Sequence, residues 1–299
     1  MVHEIALEPE LVATWKSREA QAHVRESMGV GNPRVVGGYP TIAAWRQAVL
    51  DAVGPLEPLA RARFEAFVQQ VSISSTYRKG TKFDEGAAWD TNAVTEHGRI
   101  PFDGIICRRK TANETNGEEV IWDNIAPWCL ERGYSVSRRA TEYARVLAPM
   151  VRKAWSITLV DPYFTPAEER FVAPLEAILA EAMTRRSPEG PNVKVALLTK
   201  NDAVAVQFQQ LARRLPQGLR LKVIRYDERD EKDHNRYVLT ELGGVSFGTG
   251  LDQGSPRHTD DLLLLAPALL ALRTRQYVQR IEGFRFDDVT TVVGTKRVT

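Results

Sequence analysis

Hydrophobic and polar positions in the second half of the chain alternate between two periods. Apolar residues recur at helical spacing over residues 138–154, 167–185 and 202–215. Between these segments lie short apolar runs typical of buried strands: Ser156–Val160, VKVALLT and LKVIRY. Helices that alternate with strands predict an α/β domain whose sheet is covered by helices on both faces.

A hairpin is predicted farther along, where NRYVLT turns at Gly243-Gly244 into VSFGTG. Two glycines allow the positive φ that a tight hairpin turn needs. The apolar run LLLLAPALLAL is too short to span a membrane, so we expect it to belong to a core helix over residues 260–280. The residues after Phe286 are expected to form an extended tail or an edge strand.

The first half of the chain is less regular. Helices are predicted over residues 40–54 and 56–71, the former with Pro40 near its start and Gly54 past its end. Residues 72–116 are polar, with RIPFDGIIC as the one convincing strand, and a helical pattern resumes after them. The pattern therefore predicts an α-rich domain over residues 1–135, joined to an α/β domain over residues 136–299.

The polar stretch YRKGTKFDEGAAWDTNAVTEHGR has two interpretations. It resembles a binding loop, or it is an ordinary surface loop with one aromatic side chain anchored in the core; the second is favoured because loops are polar by default. The side chains at issue are those of Arg78, Lys79, Trp89, Asn92 and His97.

Composition narrows the classes of partner. The chain has 299 residues with 40 Lys and Arg against 38 Asp and Glu, a net charge of +2 that does not predict avid nonspecific nucleic-acid binding. Residues 227–233, DERDEKD, predict a solvated acidic loop. The N-terminus lacks the pattern of a signal peptide and no apolar run is long enough to span a membrane, so we expect a cytoplasmic protein without a transmembrane segment. Cys107 and Cys129 lack metal-ligand spacing, so we expect reduced, buried thiols and no metal. No cofactor is expected.

Candidate chemistry is concentrated at His234 and Arg236. The two residues lie two apart on a strand, so their side chains point to the same face. A guanidinium forks onto phosphate oxygens, and an imidazole can attack phosphorus or move a proton. Asp161 and Tyr163 follow the strand of WSITLVDPYFTP, at the sheet edge where α/β proteins bind ligands; alternatively, Asp161 only ends the strand and caps the helix near Ala167.

The stretch that begins at His234 resembles the signature of the phospholipase D superfamily. That signature is a His, a Lys two residues on, an Asp five further on, and a Gly-Ser pair seven past the Asp. Here the positions hold His234, Arg236, Glu241, Gly248 and Thr249, so Lys, Asp and Ser are each replaced by a chemical relative. The later Asn of the family falls near Leu251 and Asp252 and is not matched. The ending GTGLD is similar to the phospholipase-D-like domain at the C-terminus of MIT-domain proteins, a branch associated with membrane binding and dimers.

The resemblance implies a set of site residues and a mechanism. In the superfamily two motifs meet at a twofold axis, where one histidine attacks phosphorus and the other protonates the leaving oxygen without a metal. This chain has one motif, so a complete site would require a homodimer. Catalytic positions are then expected at His234, Arg236, Glu241, Thr249 and Asp252, and ligand contacts at Asp161, Tyr163 and Gly248.

For three of these residues the sequence leaves two roles open. Glu241 is at odd spacing from His234 and faces away on an unbroken strand, where it would pair with a cation or orient a neighbour. The hydroxyl of Thr249 either donates to phosphate or satisfies backbone. Asp252 either caps the turn after the hairpin or approaches His234.

Two classes of function follow. The first is a dimeric module that recognises a phosphate-bearing ligand, a nucleic acid or a lipid headgroup, with little or no turnover. The second is a metal-independent phosphodiesterase that acts through a phosphohistidine at His234. Arginine in place of lysine favours the first, because a planar fork does not reproduce the geometry of an ammonium group. The style of the fused N-terminal domain suggests a protein partner and a role in a prokaryotic defence system.

Overall fold

The computed structural model describes residues 1–73, 75–76, 78, 80–184, 193–228, 234–255, 257–281 and 284–297. Its contacts divide the chain into two compact units, Val2–Glu131 and Arg132–Thr299, the latter together with Met1. The boundary predicted at Ser135 lies within a few residues of this division. Lys79 and residues 229–233 of the acidic run lie outside the described residues.

The N-terminal unit contains a parallel sheet of four strands in the order β2-β1-β3-β4. The strands are β1 (His3–Leu7), β2 (Arg34–Val36), β3 (Gly104–Ile106) and β4 (Thr115–Asn116). The helices are α1 (Pro9–Val12), α2 (Arg18–Ser27), α3 (Ile42–Ala52), α4 (Pro58–Ile73), α5 (Trp89–Arg99) and α6 (Glu119–Trp122).

This unit is α/β, whereas the sequence predicted an α-rich domain with one strand. Only β3 lies in a segment predicted as a strand; β1, β2 and β4 are short as well, and no strand was predicted where they lie. Their pairing supplies what the local pattern lacks: β1 is held in parallel register by both β2 and β3. The buried core beside the sheet includes Trp15, Trp45, Phe64 and Trp128.

The polar stretch that suggested a binding loop is largely structural. Arg78 is buried and donates to the carboxylates of Glu4 at 2.8 Å and Glu96 at 3.0 Å. The side chain of Asn92 bonds both the N–H and the carbonyl of Asp84, each at 2.8 Å. The Nδ1 atom of His97 accepts from the N–H of Phe102 at 3.2 Å, and Trp89 packs edge-on against Tyr39. These contacts engage the side chains of Arg78 and Asn92 and Nδ1 of His97 within the fold.

The C-terminal unit contains a mixed sheet of eight strands in the order β12-β8-β7-β6-β9-β10-β11-β5. The strands are β5 (Gly133–Ser137), β6 (Ser156–Val160), β7 (Lys194–Thr199), β8 (Arg220–Glu228), β9 (Tyr237–Thr240), β10 (Gly244–Phe247), β11 (Thr259–Leu264) and β12 (Phe284–Val293). The helices are α7 (Ala140–Val151), α8 (Glu169–Met183), α9 (Ala205–Gln209) and α10 (Pro267–Arg273), with a 3-10 turn at Gln210–Arg213 and a π turn at Thr274–Val278.

Helical segments lie on both faces of this sheet. On one face, Leu270 of α10 and Tyr277 of the π turn pack in a core cluster with Val160 and other strand residues. On the other, Tyr143 of α7 meets Phe247 of β10 edge-on, with ring centroids 5.7 Å apart. The α/β class predicted from the sequence is thus confirmed.

Two predicted helices are shorter in the structure. The helix expected over residues 260–280 begins as β11, whose residues alternate between exposed and buried and pair with β10 and β5. Pro267 then starts α10 at its first turn, where a missing N–H costs nothing. The helix expected over residues 202–215 is confined to α9 and the 3-10 turn.

Other C-terminal predictions match the structure. The strands of the predicted hairpin are β9 and β10, which pair antiparallel with Val238 opposite Val245. The segment after Phe286 belongs to β12, an edge strand paired with β8. Over the residues that the structure describes, no helix has the length and apolar character needed to cross a bilayer.

The two cysteines differ in burial. Both are free; Cys107 is buried, whereas Cys129 is exposed, contrary to the prediction that both are buried. Burial raises the pKa of the Cys107 thiol to about 12, so it stays protonated and unreactive.

Candidate functional site

The candidate site lies where β6 ends and β9 begins. These strands pair antiparallel with Val160 opposite Tyr237, so Asp161 and Arg236 are neighbours where β6 ends and β9 begins, in the middle of the sheet. Tyr163 follows Asp161 by two residues, and His234 precedes Arg236 by two. The structure therefore brings together four of the residues that the sequence assigned to the site.

Tyr163 and His234 form a direct contact. Their rings are parallel within 7°, with centroids 5.9 Å apart, and the Tyr163 hydroxyl is hydrogen-bonded to Nδ1 of His234. The hydrogen bond fixes the orientation of the imidazole. The side chain of His234 is exposed, and 45% of Tyr163 is exposed.

Arg236 lies against the same tyrosine. Its guanidinium carbon is 5.0 Å from the centroid of the Tyr163 ring, and Nη1 donates to the carbonyl of Gly248 at 2.8 Å. Its Nε is 4.0 Å from the Asp161 carboxylate and, among the described residues, has no hydrogen-bond partner although it is buried. A cation with an unsatisfied donor is thus held beside an exposed imidazole.

Asp161 is buried and organises the backbone around the site. Its carboxylate accepts from the N–H of Tyr163 at 3.0 Å and from the N–H of Leu251 at 2.8 Å. Burial raises the pKa of this carboxyl, and the two N–H donors and Arg236 oppose that shift. The following helix, α8, begins only at Glu169, and its N-cap residue is Glu168, so Asp161 does not have the capping role.

A second buried carboxylate, Asp260, holds the loop that follows β10. It accepts from the N–H groups of Gly248 at 2.9 Å and Thr249 at 3.2 Å, from the Thr249 hydroxyl at 2.8 Å, and from the Tyr143 hydroxyl at 3.2 Å. Burial raises the pKa of Tyr143 to about 12, so this phenol remains a neutral donor.

Sequence reasoning missed Asp260. The signal was present: Asp260 is in phase with the buried Leu262 and Leu264 of β11, and an acid in phase with apolar positions needs buried donors. Reading the segment as a helix hid that phase.

The structure gives Thr249 neither of the two roles that the sequence left open. Its hydroxyl donates to Asp260, so the proton is not available to a phosphate oxygen. Gly248 contributes its carbonyl to Arg236 and its N–H to Asp260. Gly248 and Thr249 therefore position the loop and Arg236 through hydrogen bonds within the protein.

Asp252 is paired away from His234. Its carboxylate is 2.9 Å from Nη2 of Arg138 and 3.5 Å from Nη1 of Arg170, and Nε of Arg138 donates to its carbonyl at 3.1 Å. Asp252 thus ties the loop after β10 to the segments that begin α7 and α8. Of the two roles predicted for it, the approach to His234 is not what the structure shows.

Glu241 lies at the far end of the sheet. Its carboxylate accepts from the N–H groups of Trp155 at 2.9 Å and Ser156 at 3.1 Å, at the start of β6, whereas the site is at the end of β6. An extended chain rises about 3.3 Å per residue, so the five residues after Arg236 carry Glu241 about 16 Å away. The structure does not bring Glu241 to the other predicted site residues.

The assembled side chains suit an anion. Arg236 and His234 offer a fixed positive charge and a titratable nitrogen, and both are strong donors to phosphate oxygens. In the described part of the chain, no group of three or more His, Cys, Asp or Glu side chains is placed to hold a metal ion.

Comparisons with known proteins assign no family. No family model and no curated protein matches the chain. Among solved structures, the chain is similar to TrmBL2, an archaeal chromatin protein reported to show a novel mode of DNA binding, with 14% identity and a TM-score of 0.28. The match covers 54% of this chain and 56% of that protein, so the chain spans about half the length of TrmBL2. A TM-score this low carries no argument.

Proposed function

We propose that the C-terminal unit is a phospholipase-D-like module that recognises the phosphate group of its ligand, works as a homodimer and has little or no turnover. One observation carries the proposal: His234 and Arg236 both contact the exposed Tyr163 at the edge where β6 ends. An imidazole and a guanidinium that converge on an open sheet edge are the donor set that phosphate oxygens require.

The surroundings of Arg236 support recognition by pre-organisation. The carbonyl of Gly248 and the ring of Tyr163 hold the guanidinium before any ligand arrives, which reduces the entropy that binding must remove. Nε of Arg236 is buried and lacks a hydrogen-bond partner among the described residues. Any rearrangement that gives it an acceptor is therefore energetically favourable.

The partner of His234 argues for binding over turnover. Within the part of the chain that the structure describes, its contact is the phenol of Tyr163, and the one glutamate of the signature, Glu241, is at the far end of β6. A carboxylate beside a catalytic histidine stabilises the imidazolium that forms during the reaction, and a neutral phenol does so less well.

A metal-independent phosphodiesterase is the second candidate, and one observation favours it. The Tyr163 hydroxyl holds Nδ1 of His234, which directs Nε2 away from the tyrosine as the nitrogen available to phosphorus. In a homodimer, one His234 would attack phosphorus and the other would protonate the leaving oxygen, as in the superfamily that the sequence resembles.

The binding proposal is tested by titrating the full chain with ribose 5-phosphate in a calorimeter. Arg236→Ala should weaken binding by about 1–3 kcal/mol, the cost of losing a charge-assisted contact. Arg145→Ala is the matched control, since this arginine is 61% exposed and pairs with Glu142 on α7. Equal binding by the wild type and both variants would remove Arg236 from the ligand site.

A further inference from the structure

Tyr163 and His234 lie side by side with nearly parallel rings. Their rings are parallel within 7°, and the Tyr163 hydroxyl bonds directly to Nδ1 of His234. That hydrogen bond brings the two ring planes closer than the about 3.5 Å at which stacked carbon atoms touch. Parallel rings at such a separation cannot overlap, so their faces adjoin and together form an aromatic surface two rings wide, which we call the two-ring platform.

The two-ring platform is covered on one side by Arg236 and remains partly exposed. The guanidinium of Arg236 lies over the Tyr163 ring, 5.0 Å from its centroid. Nevertheless 45% of Tyr163 is exposed, and His234 is exposed as well. The face of the tyrosine opposite Arg236 and the adjoining imidazole are the surfaces that a planar ligand would reach without displacing the guanidinium.

A flat aromatic surface beside a cation matches a ligand that joins a planar ring to a phosphate. Nucleobases stack on aromatic side chains whatever their sequence, because every base has a π-face. A guanidinium on the covered side strengthens such a stack by withdrawing electron density from the ring between them. A lipid headgroup has no planar group to place on this surface.

We propose that the two-ring platform is a base-stacking site and that the ligand of the C-terminal unit is a nucleoside phosphate. The base stacks on Tyr163 and His234 while Arg236 binds the phosphate. This assignment rests on the phosphate recognition proposed above and names its ligand class. A free nucleotide and the end of a single-stranded nucleic acid share this chemistry.

Calorimetry with the full chain compares 5′-AMP with ribose 5-phosphate, which carries the same phosphate without a base. AMP should bind about 5- to 150-fold more tightly, the range that stacking of one base provides. Tyr163→Leu should abolish the preference, so that this variant binds AMP and ribose 5-phosphate equally; both affinities should fall to the extent that the ring also holds Arg236. Tyr163→Phe should keep most of the preference, because it retains the ring.

Trp155→Ala is the matched control, since Trp155 is an exposed aromatic at the opposite end of β6. It should leave both affinities unchanged. Circular dichroism of each variant checks that the fold is retained.

The outcomes separate the two proposals. Equal affinities for AMP and ribose 5-phosphate, or a preference that survives Tyr163→Leu, would overturn the platform and leave phosphate recognition standing. A wild-type chain that binds neither compound nor a five-nucleotide single strand would overturn phosphate recognition itself. Tighter binding of the strand than of AMP would support the platform with nucleic acid as its source, and equal binding would support it with a free nucleotide.

Discussion

Asp161 and Leu251 are joined by a hydrogen bond of 2.8 Å across 90 residues of chain. The same carboxylate accepts from the N–H of Tyr163 at 3.0 Å. A single buried acid therefore fixes both the turn that carries Tyr163 and the loop that borders Arg236.

Gly250→Ala should destabilise the protein and weaken phosphate binding. Gly250 has φ +75°, and an added Cβ would lie 2.3 Å from Cδ of Arg236 and 2.5 Å from the Asp161 carboxylate. Backbone strain at such a φ costs about 1–3 kcal/mol, and displacing two packed side chains adds about 1–3 kcal/mol. Urea unfolding measures the first effect and calorimetry with ribose 5-phosphate the second.

Gly218→Ala provides the control for this substitution. Gly218 has φ +80°, but a Cβ there meets nothing within 4 Å. It should show the backbone cost alone and leave ligand affinity unchanged. Equal losses of stability in the two variants would mean that Arg236 and Asp161 move aside freely.

The Asp161 carboxyl should make stability depend on pH. Burial raises its pKa from 3.8 in the folded state. Between 3.8 and the higher folded pKa, the folded state binds more protons than the unfolded state. The contribution of this group to the free energy of unfolding therefore increases as pH falls through the folded pKa. The free energy of unfolding of the wild type, relative to Asp161→Asn, should therefore increase from about pH 7 to about pH 4.

Urea unfolding at several pH values measures this difference. Asp287→Asn is the control, because Asp287 is 70% exposed on the edge strand β12. A difference between the wild type and Asp161→Asn that decreases toward low pH would show that its hydrogen bonds and Arg236 outweigh burial.

Substitutions at His234 and Arg236 separate binding from catalysis. If His234 is a nucleophile, bis(4-nitrophenyl) phosphate should leave an acid-labile, base-stable phosphohistidine, turnover should survive chelators, and His234→Ala should abolish it without unfolding the chain. Arg236→Lys should then keep or raise activity. If the unit only binds, no phosphohistidine should form, and Arg236→Ala should weaken the ligand more than His234→Ala does.

The full chain should be a homodimer in solution. The motivation is the single motif, since a site built from two motifs requires two chains. Static light scattering at micromolar concentration measures the molar mass directly. A monomer would remove the paired-histidine mechanism and leave single-site recognition by Arg236.

Several elements of the C-terminal unit follow from the sequence. The helical spacing of residues 138–154 and 167–185 and the apolar runs around β6, β7 and β8 predicted those elements, because periodicity is a local property of the chain. The two-residue spacing of His234 and Arg236 predicted a shared strand face; in the structure both residues precede β9, and both contact Tyr163. The phospholipase-D-like arrangement of these elements stays a prediction.

Other features were set by pairing between distant segments. The short strands β1, β2 and β4 exist because neighbouring strands satisfy their backbone groups, which no local period reports. The strand β11 was mistaken for a helix because a run of leucines fits both periods until its partners β10 and β5 are known.

The sequence by itself determined that an imidazole, a guanidinium and an aspartate-tyrosine pair occur at strand ends. The tertiary structure alone decided which of them meet: the antiparallel pairing of β9 with β6 places Arg236 beside Asp161 and carries Glu241 to the opposite end. It also decided that Asp260 holds the Thr249 loop. The reason is physical, since spacing along a strand fixes direction and face, whereas the partner across the sheet depends on register between segments far apart in the chain.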